Sequence, residues 1–334
     1  MKIALLNIEP ERKELINKDF MGGYGWAFNA GASFPARLIN FVKKHGEKLP
    51  VMSFGYLAAI FSSHNHNVSF EENVIPDADI AIISSSMVDY TNELEWARRI
   101  KRKGIRVGFI GPFASHKPEL FLDSCHFIIK GEPEQATINI SKGNLPEGII
   151  ESQPVEDLDV LPFPKWDIFP VRSYSYFPAL KERPFLPILA SRGCRYKCSY
   201  CPYIAFYKYR HRTLENVLAE IKYLKGKFNI NGMIFRDPLF GANKNFVNDF
   251  CSRILEENIK LKWVCETRLD LLDKPILNLM YKAGLRVINT GIESADTEII
   301  SKSTRIPVKM EHQREIVRYC DRLGIRVTAF YMLG

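Results

Sequence analysis

Ser191-Arg192-Gly193-Cys194-Arg195-Tyr196-Lys197-Cys198-Ser199-Tyr200-Cys201-Pro202 follows directly on the apolar run Phe185 to Ala190. A short apolar run bounded by turn signals reads as a buried strand, so the three cysteines fall on a loop leaving its end. Their C-x3-C-x2-C spacing offers thiolates for three corners of one soft metal centre. A cubane iron–sulfur cluster with only three protein ligands keeps one iron open for another molecule. The alternative is a structural zinc site with His211 as fourth ligand. Zinc sites, however, usually pair their ligands as C-x2-C with a second pair further on.

The C-x3-C-x-aromatic-C loop after the first strand of an α/β barrel resembles the signature of the radical S-adenosylmethionine (SAM) enzymes. The resemblance implies a 4Fe-4S cluster on Cys194, Cys198 and Cys201. Its open iron would chelate the amino and carboxylate groups of SAM and reduce it to methionine and a 5′-deoxyadenosyl radical. Tyr200 would pack against the adenine side of that site.

At 334 residues the chain is long for one ordinary domain and fits two. A hydrophobic share of 46% and a charged share of 25% are those of a globular protein able to bury a sizeable core. Seven cysteines form no regular disulfide ladder, which points to the reducing cytoplasm. Met1 to Asn7 reads as a first strand rather than a signal peptide, because Glu9, Glu11, Arg12 and Lys13 follow at once. No apolar run approaches the roughly 18 residues a membrane span needs. The net charge of +8 permits an anionic partner, yet its densest run, Arg98 to Lys103, reads as a solvated helix face; nucleic acid is not the expected partner.

From Met1 to Gly143 strand runs (3–7, 67–70, 80–84, 106–110 and 127–129) alternate with helical stretches such as 54–62 and 92–103. This pattern predicts a doubly wound, Rossmann-like parallel sheet whose ligand sits beyond the carboxyl ends of the strands. Those ends carry Ser84-Ser85-Ser86, Gly111-Pro112 with Ala114-Ser115, and Gly131-Glu132-Pro133-Glu134. Small residues there admit a large ligand to the backbone, although Gly and Ser are equally ordinary in βα turns. The half resembles the cobalamin-binding-type domain that precedes many radical SAM domains, with Pro50 to Phe61 similar to its opening helix and 131–134 to its acidic-glycine turn. Cobalamin is thereby implied at Ser84, Ser85, Gly111, Gly131 and Glu132. The Asp-x-His-x-x-Gly motif of classical cobalamin domains is absent and His64 and His66 lie elsewhere, so no histidine is expected on the cobalt. Gly22-Gly23-Tyr24-Gly25-Trp26, within the long segment Asn17 to Lys48, breaks the alternation and reads either as a cover for cofactor or substrate or as a mobile insertion.

Prolines 146, 154, 162, 164, 170, 178 and 184 mark residues 144–184 as an extended connection. Within it, Asp157-Leu158-Asp159 and Leu161-Pro162-Phe163-Pro164 resemble the strap joining the two domains of the family. Residues 185–334 then show repeated strand–helix units, implying a partial, barrel-like (β/α) sheet of the TIM type. Arg236 and Asp237, then Glu266, Thr267 and Arg268, then Glu293 and Ser294, follow its strands, where a barrel places its chemistry. Salt bridges across the mouth are the competing explanation for these charges. Under the resemblance, Asp237 and the backbone near it would serve the SAM amino group, Glu266 or Glu293 the ribose or amino group, and Arg268 or Arg305 the carboxylate. Gly291-Ile292-Glu293-Ser294 matches the family's fourth-strand motif, and Trp263 with Thr267-Arg268 its third.

The combined resemblance implies a radical SAM enzyme, chiefly a cobalamin-dependent methyltransferase at an unactivated carbon or phosphorus centre. It also implies a small-molecule substrate and an electron donor such as flavodoxin or ferredoxin. A cobalamin-free radical enzyme performing cyclisation, rearrangement or oxidation, and a non-catalytic metal-binding protein, are the alternatives; no side chain is assigned as catalytic. A tRNA methylthiotransferase needs three further cysteines in the first domain, which has only Cys125. The family pattern continues past Phe330 to Gly334, so the chain reads as a fragment or as a naturally short form.

Overall fold

Lys2–Asn7 forms β1, and its apolar residues Ile3 to Leu6 are almost wholly buried. In the computed structural model, which describes residues 1–9, 15–18, 21–205 and 208–332, the chain divides into two compact units. The first spans Met1–Ser173 and the second Tyr174–Ile204 with Lys208–Gly334.

In the first unit β1 is followed by α1 (Phe34–Gly46), α2 (Met52–Ser63), β2 (Asn67–Glu72), β3 (Ile80–Ser84), α3 (Tyr90–Arg102), β4 (Arg106–Ile110), α4 (Pro112–His116), β5 (Phe127–Gly131), α5 (Glu134–Ser141) and β6 (Gly148–Ser152). These strands form one sheet in the order β2-β1-β3-β4-β5-β6, with parallel pairing throughout. The chain leaves β1 first to one side and then to the other, so the topological switch point, where such sheets take ligands, lies between the carboxyl ends of β1 and β3. Segment 17–48 contains structure of its own: Leu15–Asn17 pairs antiparallel with Trp26–Phe28, and α1 follows, capped by Ser33. Residues 19 and 20 of that segment lie outside the described residues.

The proline-rich stretch is more structured than an extended connection. Residues 148–152 supply the sixth strand, and Leu158, Leu161, Trp166 and Phe169 are buried. Gly55 on α2 makes this possible: a Cβ there would lie 2.8 Å from Pro164 Cβ and 3.0 Å from Trp166, while Lys165 N donates to Gly55 O at 2.9 Å. The first unit consequently runs to Ser173, beyond the bound of 143 that strand alternation suggests.

The second unit carries β7 (Phe185–Ile188), α6 (Leu214–Phe228), β8 (Gly232–Phe235), α7 (Lys244–Glu256), β9 (Lys262–Glu266), α8 (Lys274–Lys282), β10 (Leu285–Glu293), α9 (Thr297–Lys302), α10 (Met310–Leu323) and β11 (Arg326–Tyr331). Its five strands lie in sequential order, all parallel, as an open barrel sheet requires. Thr213 caps α6 by accepting from Asn216 N at 3.3 Å, the role its sequence position suggests. Trp263 packs edge-on against Phe235 and Phe250, with centroids at 5.6 and 5.9 Å, between sheet and helices. Truncating Trp263 to Ala would cost about 3–5 kcal/mol. Because every strand runs the same way, the cysteine loop and the polar residues after β8, β9 and β10 all emerge at one edge.

Candidate functional site

The cysteine loop leaves β7 and returns through a short ladder in which Ser191 pairs with His211 and Arg192 with Arg210. All three thiols are free; Cys198 is 6% exposed, while Cys194 and Cys201 are half-buried. Burial pushes the Cys201 thiol up to about 11 and also raises Cys194, with the neighbouring thiols adding to the effect. A metal would have to displace the protons of these thiols. Cys201 N donates to Cys198 O at 3.0 Å, forming a turn. The loop is also fastened to the residues after α9: Ser199 N and Oγ both donate to Ser303 O, at 3.0 and 3.1 Å, and Thr304 Oγ1 donates to Lys197 O at 2.5 Å.

The donor chemistry fits a cluster better than a single ion. Tetrahedral zinc holds its sulfurs about 3.8 Å apart, given a Zn–S bond of about 2.3 Å. Among the described residues no three His, Cys, Asp or Glu side chains form a ready-made set for one metal ion. His211 sits at the base of the loop with Nδ1 3.3 Å from Arg212 O. A cubane gives each thiolate its own iron and so suits three soft donors on one loop.

Two arginines of the expected set stand beside the loop. Arg268 lies over the Tyr196 ring, 4.4 Å from its centroid, and is gripped by Asp270 through Nε (2.9 Å) and Nη2 (3.0 Å) and by Ile306 O. The residue is only 5% exposed, yet its Nη1 has no hydrogen-bond partner. A buried, unpaired guanidinium nitrogen is costly, and an anionic ligand would satisfy it. Arg305 donates to Tyr200 Oη at 3.1 Å and to Gly291 O, and approaches Glu293 at 3.7 Å. Burial raises the Tyr200 phenol, with the Arg305 cation opposing. Glu293 holds a positive φ of 68° at a register shift in β10.

The remaining expected residues are partly occupied with protein. Arg236 and Glu266 form an ion pair at 2.7 Å, so some of the mouth does consist of salt bridges. Ser294 Oγ accepts from Asp296 N at 3.0 Å. Asp237, 1% exposed, accepts from Ala190 N at 2.9 Å and from Ser191 Oγ at 2.5 Å, and burial pushes its carboxyl up to about 6. Ser191, Arg212, Ser303 and Thr304, which hold the loop, have no place in the expected set. They are polar residues at loop ends, without a motif to single them out.

In the first unit the edge after β3 to β5 is closely tied. Ser85 Oγ accepts from Ala114 N at 3.0 Å, Ser115 Oγ accepts from Gly131 N at 3.1 Å, and Ser152 Oγ donates to Glu132 O at 2.5 Å. Ser84 is also buried, and Gly111 takes φ 109° and ψ 166°, a conformation open essentially to glycine, with the place of a Cβ 3.3 Å from Ser85 O. Ser86 gives both its N–H and its hydroxyl to Glu93, whose other partner is the buried Lys18 ammonium at 2.6 Å. Burial raises the Glu93 carboxyl against the pull of Lys18. The Gly22–Trp26 stretch rests on this edge: Met87 N donates to Tyr24 O at 2.8 Å, and Tyr24 Oη shares a 2.6 Å hydrogen bond with His116 Nδ1. His116, outside the expected set, thus stands at the edge. His64 and His66 lie at Ile60 O and Ser141 O (both 2.9 Å).

Residues 188–334 match the family model of the radical SAM superfamily, and the chain therefore carries a radical SAM domain over those residues. Among curated relatives it is 23% identical to an uncharacterized methyltransferase of Pyrococcus horikoshii, covering 85% of this chain and 69% of that protein. It is 24% identical to cytidylyl-2-hydroxyethylphosphonate methyltransferase of Streptomyces wedmorensis, over 53% of this chain and 35% of that one. A third relative, anaerobic magnesium-protoporphyrin IX monomethyl ester cyclase of Synechocystis, is 31% identical over 52% of this chain and 35% of the enzyme. The chain thus spans about a third of the latter two. Its fold is that of the radical SAM methyltransferase TsrM of Kitasatospora setae, solved with cobalamin and a [4Fe-4S] cluster bound (TM-score 0.70, 14% identity, 100% of this chain and 69% of that one). It is also that of the cobalamin-dependent radical enzyme OxsB, solved with aqua-cobalamin (TM-score 0.67, 16% identity, 100% and 50%).

Proposed function

We propose that this chain works as a radical SAM enzyme, a cobalamin-dependent methyltransferase acting on an unactivated carbon or phosphorus centre of a small molecule. The observation that carries the reading is the set of three free thiols, Cys194, Cys198 and Cys201, on one loop beside the unpaired, buried Nη1 of Arg268. When bound at those thiols, a 4Fe-4S cluster supplies the electron that cleaves SAM. Arg268 receives the SAM carboxylate, Glu293 and Glu266 the amino or ribose groups, Arg305 holds Tyr200 toward the adenine, and Ser294 fixes the turn after Glu293. In the first unit Ser84, Ser85, Gly111, Gly131 and Glu132 face the corrin largely through backbone, since Ser85 Oγ, Gly131 N and Glu132 O are engaged with Ala114, Ser115 and Ser152. The methyltransferase reading draws on the names of the relatives and on the fold shared with TsrM and OxsB.

Domain roles follow the same reading: a cobalamin-binding-type first domain, a strap and a radical SAM barrel. An acidic one-electron carrier of the flavodoxin or ferredoxin kind reduces the cluster, and free thiols throughout suit the reducing cytoplasm. No helix among the described residues is long and apolar enough to cross a membrane.

Anaerobic reconstitution with iron and sulfide, then reduction with dithionite in the presence of SAM, should release 5′-deoxyadenosine. Iron-replete protein that binds SAM and releases none would remove the radical mechanism. The match to the cyclase favours a second reading, a radical enzyme without methyl transfer. Retention of hydroxocobalamin through gel filtration, read by absorbance, supports methyl transfer; failure to retain it supports the second reading.

A further inference from the structure

The cysteine loop must keep three thiolates in fixed relation, and the groups that orient metal ligands are themselves usually held by hydrogen bonds from behind. The entry to the cysteine loop, Ala190 and Ser191, is held by one buried side chain. Asp237 Oδ1 accepts from Ala190 N at 2.9 Å, and Oδ2 accepts from Ser191 Oγ at 2.5 Å, so both carboxylate oxygens face the entry strand. Tyr209, just before the return strand, shares a hydrogen bond with the same Ser191. The exit is held by Arg212, whose N–H donates to Ala190 O at 2.9 Å and whose Nη1 donates to Leu189 O at 2.8 Å and to Glu220. With 1% of its surface exposed, Asp237 presents almost nothing to a ligand.

We infer that Asp237 and Ser191 form a clamp that positions the cysteine loop, and that Asp237 touches neither SAM nor iron. This rests on the reading of the loop as a cluster site, and it departs from the SAM-amino role that the family resemblance gives Asp237. Asp237 is a positioning residue: its carboxylate fixes where the chain enters the loop, and Ser191 is the point at which entry and exit are joined.

The test uses the whole chain, reconstituted anaerobically with ferrous iron and sulfide. Iron release to a chelator, the electron paramagnetic resonance spectrum of the reduced cluster, and SAM affinity per loaded cluster by equilibrium dialysis are compared across variants. Asp237→Ala and Ser191→Ala should each release iron about tenfold faster than wild type, in the range typical of lost support behind a metal ligand. Ser191→Thr, which keeps the hydroxyl, should restore the wild-type rate and spectrum. SAM affinity per loaded cluster should stay within about twofold in all of them, as for residues outside the ligand's contacts. Unchanged release rates in Asp237→Ala overturn the inference, as does a tenfold loss of SAM affinity per cluster. If circular dichroism shows Asp237→Ala unfolded, the Ser191→Ala and Ser191→Thr pair decides by the same criteria. A wild-type chain that takes up no iron overturns the cluster reading itself, a result distinct from intact loading with unaltered variants.

Discussion

Both sheet edges use the same device. In the first unit the buried carboxylate of Glu93 accepts from Ser86, just after β3; in the second, the buried carboxylate of Asp237 accepts from Ser191, just after β7. They differ in charge balance, because Glu93 has the Lys18 ammonium at 2.6 Å whereas Asp237 has no ion pair among the described residues. The surroundings differ too. Around Ser86 the loops bind one another through Ser85, Ser115 and Ser152, while beside the cysteine loop Arg268 keeps a buried nitrogen without a partner. Under the proposed reading the first edge is entered by shape and backbone, and the second is completed by a charged ligand.

The largest expected contrast is iron itself. Cys198→Ala should take the reconstituted chain from about four irons to none. Cys320→Ala should load fully, since that thiol is buried on α10 and is not part of the cysteine loop. Equal loss from both would show that the second edge has been misassigned.

Next comes the charge balance. Glu93→Gln leaves the Lys18 ammonium buried and unpaired, a change that costs about 3–5 kcal/mol. Asp237→Asn orphans no cation and should cost clearly less. Denaturant unfolding of both apo variants measures the difference, and equal losses would end the distinction between the two carboxylates.

The pH dependence sharpens the same point. Folding raises the Asp237 carboxyl from 3.8 to about 6, chiefly by burial. A raised folded value means that the folded state binds the proton more tightly. The stabilisation is therefore fully present below about 3.8 and is lost as pH rises through about 6, an interval worth about 3 kcal/mol. Apo wild type, measured against Asp237→Asn, should gain relative stability as pH falls from 7 toward 4; a flat difference would refute it.

The smallest effect is local. Arg268→Met keeps an apolar stem against Tyr196 but removes the guanidinium, and SAM affinity should fall about tenfold, roughly 1.4 kcal/mol, with iron content unchanged. Unaltered affinity would leave the unpaired Nη1 without a ligand and weaken the contrast between the edges.

Periodicity and motif spacing are local properties, and what depended on them was legible. The apolar run before Cys194 is β7, Thr213 caps α6, and the parallel pairing in both sheets is what strand–helix alternation predicts. Boundaries were less legible where packing overrode pattern: β10 runs on through Gly291 to Glu293 as the partner of β11, and residues 148–152 become a strand only because β5 offers a free edge. The final residues of the 330–334 motif, Leu333 and Gly334, lie outside the described residues.

By itself the sequence determined which residues offer soft donors close together, because three thiols within a few positions share one loop whatever the rest of the chain does. It also determined that the polar ends of parallel strands share one edge, because chain direction alone puts them there. Only the tertiary structure decided which of those polar groups are already satisfied. Asp237 meets Ser191, Thr304 meets Lys197 and Lys18 meets Glu93 across long separations in the chain, whereas Arg268 Nη1 meets nothing. Hydrogen bonding is directional and short-ranged, so whether a buried charge is spent or free is settled by three-dimensional neighbours that no local pattern records.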